Sequence, residues 1–284
     1  SGAFARACAE AGVMFIGPPA QALEAIAAGL SPALPLTGTR HVEIPIFADQ
    51  HGNIIHLFER DSSIRWPQQK LITEAPVLGL PGEMRARTGA AAIAAARTVG
   101  YVGAGTVEFL CDDAEIHLIA IRPQLQNEHP LTEMITGLDL VEWQLRIAAG
   151  QALPLRQEQV RIKGHAIAAR LSAEGPALSD RAQLHHLRLP AESPHLRIEC
   201  GRREGDLIVP LQDPAIATLA VWDETRRGAL RRLNYNLAKT QVAGVVTNLG
   251  ISSAVAAHPA FVAGAIKTGF VMHYGTDLLP VPTP

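Results

Sequence analysis

The stretch HVEIPIFADQHGNIIHLFE, residues 41–59, decides the fold class of this chain. It holds two runs rich in β-branched and aromatic residues, HVEIPIFAD and NIIHLFE, with Gln50, His51 and Gly52 between them. Such runs on either side of a short connection that contains glycine are typical of a β-hairpin. The sequence therefore predicts two antiparallel strands here.

Further elements follow on the C-terminal side. The polar, proline-containing stretch 60–76 is expected to be irregular. A helix is predicted from Pro81, because proline is favoured at the first helical position, to Gly100, because glycine is a common helix stop. A second strand pair is predicted at GTVEFLCD and EIHLIAIR (105–122), and a helix at DLVEWQLRIAAG (139–150).

The rest of the chain is predicted to form a second unit. A β-rich stretch begins with IKGHAIAARLSAE (162–174), and two helices are expected at 225–240 and 248–259. Residues 3–29 suggest a helix, a strand and a helix. The pattern as a whole predicts an α+β fold in two units that divide near residue 150.

Composition excludes several classes of protein. The chain is 48% hydrophobic and 18% charged with a net charge of -2, so it offers no basic stripe for nucleic acid or for an anionic membrane surface. Its three cysteines form no CxxC pair and no disulfide framework, which fits a reducing compartment. We find no secretory signal and no apolar run long enough to span a membrane, and we expect a cytoplasmic protein.

Four longer stretches are diagnostic: HVEIPIFADQHGNIIHLFERDSSI (41–64), GYVGAGTVEFL (100–110), QNEHPLTEMITGLDLVEWQLRIAAGQALP (126–154) and GHAIAARLSAEGP (164–176). They resemble biotin carboxylases, which are ATP-grasp ligases. The resemblance implies an ATP-grasp-like core at 39–150, made of an antiparallel or mixed sheet with helices, and a biotin carboxylase C-terminal α+β domain at 151–284. It also implies a remnant of the N-terminal layer at 1–29.

One part of the family pattern is missing inside the chain. Biotin carboxylases carry a lid domain with a glycine-rich loop and two ATP-binding lysines, and here residues 30–38 form a linker in its place. None of the chain's four lysines lies in such a segment. We therefore predict an ATP-grasp half-domain without a lid.

The metal position departs from the family as well. The resemblance implies ATP, Mg²⁺ and biotin on a carrier as cofactors, with Glu108 as the first metal carboxylate. The family's second metal carboxylate corresponds to Ala120 in this chain, a family asparagine corresponds to Arg122, and a family arginine corresponds to Gln124. Because alternate residues of a strand share a face, the cation of Arg122 should lie near Glu108. At 4 Å it would repel a unit positive charge at the metal position by about 4 kcal/mol at an effective dielectric of 20. Mg-ATP binding is therefore predicted to be weak or absent.

The bicarbonate and biotin positions are better preserved. By resemblance, Glu128 would deprotonate bicarbonate, Lys70 and Gln126 would contact it, and Arg170 would stabilise the biotin enolate, while Gln68 replaces a histidine near the nucleotide.

Structural roles are the alternative for the same residues. Glu108 could be an ordinary ion-paired strand residue, Glu128 could belong to a turn or a helix start, and Arg170 could pair with Glu174 or Glu108. We favour the interpretation that Lys70, Gln126, Glu128 and Arg170 persist as a structural network in which Glu128 pairs with Lys70 or Arg170.

Two functions remain open. The first is a biotin-carboxylase-like protein that is inactive as an isolated chain and works with biotin carboxyl carrier or carboxyltransferase chains, or as a homodimer. The second is a non-catalytic interaction module that binds a biotin carrier. Nucleic acid and membrane partners are not expected.

Overall fold

In the computed structural model the chain forms two compact units. The structure describes residues 14–15, 38–66, 69–112, 115–174, 182–208 and 214–278. Unit 1 comprises residues 1–63 and 75–163, and unit 2 comprises 64–74 and 164–284. The predicted helices at 3–12 and 20–29, most of the linker at 30–38, and Gln68 lie outside the described residues.

Unit 1 is built on a mixed sheet with strand order β1-β7-β6-β2-β4, and β3 pairs with β2. The pairing of β1 with β7 is parallel and the other pairings are antiparallel. The strands are β1 Met14–Phe15, β2 Arg40–Ala48, β3 Ile54–His56, β4 Arg60–Arg65, β6 Gly103–Cys111 and β7 Ile116–Arg122; β5 Lys70–Ala75 is counted with unit 2 except for Ala75.

The predicted hairpin is confirmed as β2 and β3, with Phe47 opposite Ile55. The carboxylate of Asp49 closes the connection, since it accepts hydrogen bonds from the backbone of His51 (2.9 Å) and Asn53 (3.0 Å). Gly52 has a φ of 87°, a left-handed conformation that glycine adopts without strain. The turn residues and the alternation of apolar residues thus favour the same hairpin.

The prediction that residues 60–76 are irregular is wrong, because they form β4 and β5. The prediction failed because the polar side chains of β4 are buried and paired. Arg60 pairs with Glu43 at 3.0 Å, and Asp61 lies 3.3 Å from the Nε of Arg40. The polar sequence of β4 is typical of a loop, but the pairing of its side chains allows the strand to lie in the interior.

The helices of unit 1 cover its sheet. They are α1 Gly82–Thr98, α2 His129–Thr136 and α3 Leu140–Ala148, and a 3₁₀ turn follows at Gln157–Gln159. The predicted helix from Pro81 to Gly100 is confirmed as α1, which packs small alanines such as Ala92 and Ala96 against Val42 and Val107.

Residues 151–163 belong to unit 1, whereas the sequence placed the division near residue 150. Leu153, Leu155 and Val160 pack with Phe47 and Trp143, and the backbone N–H of Leu153 donates to Asp49 (2.8 Å). The composition of this segment is typical of a linker, so the sequence did not predict that three of its apolar residues pack into the core of unit 1.

Unit 2 contains a sheet with the order β5-β8-β13-β11 and two small ribbons, β9 with β12 and β10 with β14. Its strands are β8 His165–Ser172, β9 Ala182–Gln183, β10 His186–Arg188, β11 Leu196–Cys200, β12 Leu207–Ile208, β13 Ala215–Asp223 and β14 Gln241–Ala243. Its helices are α4 Arg226–Lys239, α5 Leu249–Ala257, α6 Pro259–Val262, α7 Phe270–His273 and α8 Gly275–Leu278.

Helix α4 anchors the core of unit 2 and confirms the predicted helix at 225–240. Thr225 caps its first turn by accepting from the N–H of Gly228 at 3.1 Å. A Cβ at Gly228 would lie 2.1 Å from Oδ1 of Asp223, so a larger residue there would have to displace the Asp223 side chain, which pairs with Arg232 at 2.7 Å. The predicted α+β fold is confirmed in both units. No described helix combines the length and apolar character needed to span a bilayer.

Candidate functional site

A row of side chains crosses the sheet of unit 1 on one face. Glu43 on β2 is opposite both Arg60 on β4 and Glu108 on β6, and Glu108 is opposite Ala120 on β7. Residues that are directly opposite in neighbouring strands point to the same side. The register therefore gathers polar side chains from three strands into one buried cluster, with Ala120 on the fourth strand beside it.

Arg60 lies at the centre of this cluster with 1% of its surface exposed. Its guanidinium donates to Oε2 of Glu43 (3.0 Å), Oε1 of Gln126 (2.8 Å) and Oγ1 of Thr132 (3.3 Å). A buried cation is costly unless it is paired and hydrogen-bonded. These partners meet that requirement, so Arg60 organises the cluster from within.

A chain of polar contacts leads from Glu43 to Glu108. Ser62 donates its hydroxyl proton to Oε1 of Glu43 (2.8 Å), because a carboxylate can only accept. The Ser62 oxygen lies 3.2 Å from Nδ1 of His41, so it accepts from the Nδ1–H. Nε2 of His41 then faces Oε2 of Glu108 at 3.4 Å.

The order Ser62, His41, Glu108 superficially matches a hydrolytic triad. Ser62 has no exposed surface, and its proton is already committed to Glu43. A nucleophile needs access to substrate and a base that takes its proton. The arrangement is therefore a buried network and not a hydrolytic site.

Arg122 holds the other oxygen of Glu108. Its Nε lies 2.9 Å from Oε1, and Nε2 of Gln126 lies 3.4 Å from the same oxygen. Burial raises the pKa of Glu108, but the neighbouring His41 and Arg122 outweigh that effect and lower it to about 2. Glu108 is thus an ionised carboxylate that is engaged on both oxygens.

These residues do not fit the Mg²⁺ site that the resemblance implies. Mg²⁺ needs oxygen ligands in near-octahedral arrangement, and Ala120, opposite Glu108, offers none. The sequence-based expectation that Arg122 lies beside Glu108 agrees with the 2.9 Å contact.

The other predicted residues fall into both units. Gln126 and Glu128 are buried in unit 1, where Glu128 occupies the N-cap position of α2 without a side-chain capping hydrogen bond. Lys70 lies on β5 and Arg170 on β8, neighbouring strands of unit 2. Within unit 2, no described residue forms a hydrogen bond or ion pair with the guanidinium of Arg170. The functional roles of these four residues stay predictions.

A second buried cluster, in unit 2, was missed from the sequence. Oε2 of Glu74 accepts from Nε of Arg226 (2.8 Å) and lies 3.4 Å from Nε2 of His165. Burial raises the pKa of Glu74, but His165 and Arg226 lower it below the usual range. Arg226 also donates to the carbonyls of Phe261 (2.8 Å) and Val262 (2.9 Å). The cluster ties β5 and β8 to the start of α4 and to α6.

Comparison with known families agrees with this architecture. Residues 34–156 match the family model "Carbamoyl-phosphate synthase L chain, ATP binding domain", and residues 168–273 match "Biotin carboxylase C-terminal domain". The fold and the two matches define an ATP-grasp-type domain followed by a biotin carboxylase C-terminal domain.

Curated relatives point the same way. The chain is 47% identical over 253 residues to the methylcrotonoyl-CoA carboxylase subunit alpha of Dictyostelium discoideum, covering 88% of this chain and 36% of the relative. It is 40% identical over 238 residues to a biotin carboxylase of Halalkalibacterium halodurans, covering 83% of this chain and 52% of the relative. This chain belongs to the biotin carboxylase family, and it spans about a third to a half of the length of these relatives.

Solved structures share the fold. The biotin carboxylase domain dimer of Hydrogenobacter thermophilus 2-oxoglutarate carboxylase, in complex with MgADP, ADP and bicarbonate, superposes with a TM-score of 0.80 at 34% identity. The match covers 86% of this chain and 54% of that one. The biotin carboxylase domain of a thermophilic 2-oxoglutarate carboxylase bound to bicarbonate gives a TM-score of 0.81 at 34% identity.

Proposed function

We propose that this chain is a biotin-carboxylase-like component of a biotin-dependent acyl-CoA carboxylase and that it does not carboxylate biotin by itself. One observation carries the second half of the proposal. Nε of Arg122 lies 2.9 Å from Oε1 of Glu108, with Ala120 opposite that carboxylate. The protein's own cation neutralises the one remaining metal carboxylate.

Phosphoryl transfer depends on this position. Activation of bicarbonate by ATP requires that charge on the phosphate oxygens be neutralised, and Mg²⁺ normally does so. A divalent ion at Glu108 would have to displace Arg122 and would find no second carboxylate at residue 120. The bound state is therefore disfavoured by both repulsion and the missing ligand.

Gln126, which by resemblance would contact bicarbonate, is already hydrogen-bonded within the protein. The amide of Gln126 accepts from Arg60 (2.8 Å) through Oε1, and its Nε2 lies 3.4 Å from Glu108. A ligand that used Gln126 would have to compete with buried charged partners. This supports a component that is inactive in isolation.

The partners follow from the relatives. A methylcrotonoyl-CoA carboxylase subunit and a biotin carboxylase domain dimer are both similar to this chain. We therefore propose biotin carboxyl carrier or carboxyltransferase chains, or a second copy, as partners. A cytoplasmic location is part of the same proposal, and the free thiols of Cys111 and Cys200 are compatible with a reducing compartment.

A non-catalytic module that binds a biotin carrier is the second candidate. Arg170 favours it, because its half-buried guanidinium has no ion pair among the described residues of unit 2. Such a group can donate hydrogen bonds to an anionic or carbonyl oxygen of a binding partner.

Calorimetry tests both candidates. Mg-ATP, bicarbonate, free biotin and a biotinylated carrier domain are titrated in turn into the full chain and into an Arg170→Met variant of matched melting temperature. We expect no saturable heat with Mg-ATP. Carrier binding by itself fits either candidate, whereas carrier binding that disappears in Arg170→Met without saturable heat from bicarbonate selects the second. Saturable one-to-one binding of Mg-ATP that is lost in Glu108→Gln contradicts the proposal.

A further inference from the structure

We propose that the exposed face of helix α4 is a docking surface for an acidic helix of another protein chain. The surface, which we call the α4 stripe, consists of Arg227, Arg231, Tyr235 and Lys239. It lies within unit 2, and it does not depend on whether the chain has any carboxylase activity.

Helical periodicity places the four side chains of the stripe in one row. They follow one another at intervals of four residues in α4, and residues at i and i+4 are neighbours on a helix surface. The opposite face of the helix is buried, with Leu230, Leu233 and Leu237 in the core of unit 2. At a rise of 1.5 Å per residue, the row is about 18 Å long.

Two arginines of the stripe have charges that the fold does not use. Arg227 and Arg231 form no hydrogen bond or ion pair with any residue that the structure describes. The other two arginines of α4, Arg226 and Arg232, each pair with a carboxylate, at 2.8 and 2.7 Å. The helix thus divides its arginines into two that hold the fold together and two that are available to a partner.

The fold gains no stability from the charges of Arg227 and Arg231. Arg227 is the second residue of α4, where the helix dipole favours an anion, and the first turn holds no acidic residue. Arg231 follows at i+4, and like charges at that spacing destabilise a helix. Their placement is unfavourable within the chain, whereas an anionic partner would make it favourable.

Tyr235 and Lys239 continue the stripe toward the C-terminal end of α4. Nζ of Lys239 lies 4.3 Å from the centroid of the Tyr235 ring, and the tyrosine is 59% exposed. This cation–π contact orders both side chains on the surface. Arginine and tyrosine are enriched in protein–protein interfaces, so the composition of the stripe favours a protein partner.

Charge and spacing define the chemistry of that partner. Guanidinium groups bind carboxylates through paired hydrogen bonds. Successive members of the stripe are about 6 Å apart along the helix axis, which is the interval at which carboxylates at i and i+4 recur on a second helix. A second copy of the α4 stripe does not fit, because it carries charge of the same sign.

The structure corrects the expectation that the chain offers no basic stripe, but nucleic acid and lipid remain unfavourable partners. The stripe holds three cations, exposed Glu224 lies directly before the N-cap of α4, and the net charge of the chain is -2. Nucleic-acid-binding domains are strongly basic as a whole, and anionic membranes attract clusters of about four or more basic residues. An acidic protein helix matches the smaller charge.

Fluorescence anisotropy on the full chain tests the proposal. The probe is a labelled alanine-based peptide of about 20 residues with Glu at every fourth position, which is long enough to form a helix. We expect saturable binding, at least tenfold weaker binding in Arg227→Gln with Arg231→Gln, and a change of less than twofold in Arg188→Gln with Arg203→Gln. The second pair removes the same charge from exposed positions outside α4.

Further probes separate spacing from charge. One peptide carries Gln in place of each Glu, and another has the original composition with its glutamates gathered at one end. We expect no binding of the first and at least threefold weaker binding of the second. A short DNA duplex and phosphatidylserine vesicles, under the same conditions, should bind more weakly than the spaced peptide.

Thermal melting shows that loss of folding is not the cause of weaker binding. Because α4 loses two unfavourable charges, Arg227→Gln with Arg231→Gln should melt at the temperature of the wild type or above it. A lower melting temperature would assign the arginines to the fold and overturn the inference.

Three binding results would overturn it as well. They are no saturable binding of the spaced peptide, an equal loss in both pairs of variants, and binding of the rearranged peptide, DNA or vesicles that equals or exceeds that of the spaced peptide. None of these results affects the proposed function, which is tested by Mg-ATP binding.

Discussion

Arg122 Nε lies 2.9 Å from Glu108 Oε1, on the strand next to that of the carboxylate. The contact crosses the sheet diagonally, since Arg122 is opposite Thr106 while Glu108 is opposite Ala120. The protein thus supplies its own counter-ion where a metal carboxylate would otherwise require one from solution.

Rebuilding the acidic face should change the response to divalent ions. The double variant Ala120→Glu with Arg122→Asn places a second carboxylate opposite Glu108 and removes the competing cation. We expect a modest Mg²⁺-dependent rise in melting temperature or a gain in nucleotide affinity, measured by thermal shift. Arg122→Asn alone is the matched control and should show no response to Mg²⁺. No change in the double variant would contradict the facing of β6 and β7.

Removing the central guanidinium should be costly. Arg60→Met leaves the buried Glu43 without its strongest partner, and breaking one side of a buried pair costs about 3–5 kcal/mol. We expect that loss in the free energy of unfolding by urea. The double variant Arg60→Met with Glu43→Gln should recover part of it, because no uncompensated charge remains. Equal losses in the single and double variants would argue against a charge-pair origin.

The cluster in unit 2 predicts a similar effect at Arg226. Arg226→Met removes the hydrogen bond to buried Glu74 and the bonds to two backbone carbonyls, with an expected loss of about 3–5 kcal/mol. Arg227 follows it in the same helix and is exposed. Arg227→Met should therefore change stability by less than about 0.5 kcal/mol. A comparable loss of stability in both variants would show that the substitutions weaken helix α4 in general and that the contact with Glu74 is not the cause.

Acid should weaken unit 1 through His56. Burial lowers the pKa of His56 from 6.5 to about 4, and its ring packs against Gly89. Below pH 6.5 the unfolded chain binds a proton that the folded chain does not bind until the pH approaches 4. Stability contributed by neutral His56 is thus complete above pH 6.5 and falls with pH toward 4, by at most about 3 kcal/mol.

Urea unfolding at several pH values checks this window. In His56→Asn, whose side-chain oxygen can still accept from the N–H of Phe58, the free energy of unfolding should depend less steeply on pH between 6.5 and 4. An unchanged slope would assign the acid sensitivity to other groups.

Local signals in the sequence were sufficient for much of the fold. Apolar alternation and turn residues identified β2, β3, β6 and β7, and proline and glycine signals placed α1. Strand alternation also put Arg122 near Glu108. These predictions worked because each depends on neighbours along the chain or on the alternation of one strand.

Long-range pairing could not be predicted in the same way. Arg60 and Ser62 are polar and were assigned to an irregular stretch, yet partners from β2 and α2 make their burial favourable. The hydrogen bond between Arg226 and Glu74 joins residues that are 152 positions apart in the sequence, and no local pattern predicts it. Buried polar networks are specified by tertiary contacts, so single-strand patterns miss them.

Phosphate release by the isolated chain tests the central claim most directly. The assay contains MgATP, bicarbonate and free biotin, with omission of each and a Glu128→Ala variant as controls. Because Arg122 neutralises Glu108 and Ala120 offers no ligand, we predict that release stays at the level of the Glu128→Ala control. Release clearly above that control, and dependent on both biotin and bicarbonate, would contradict the account.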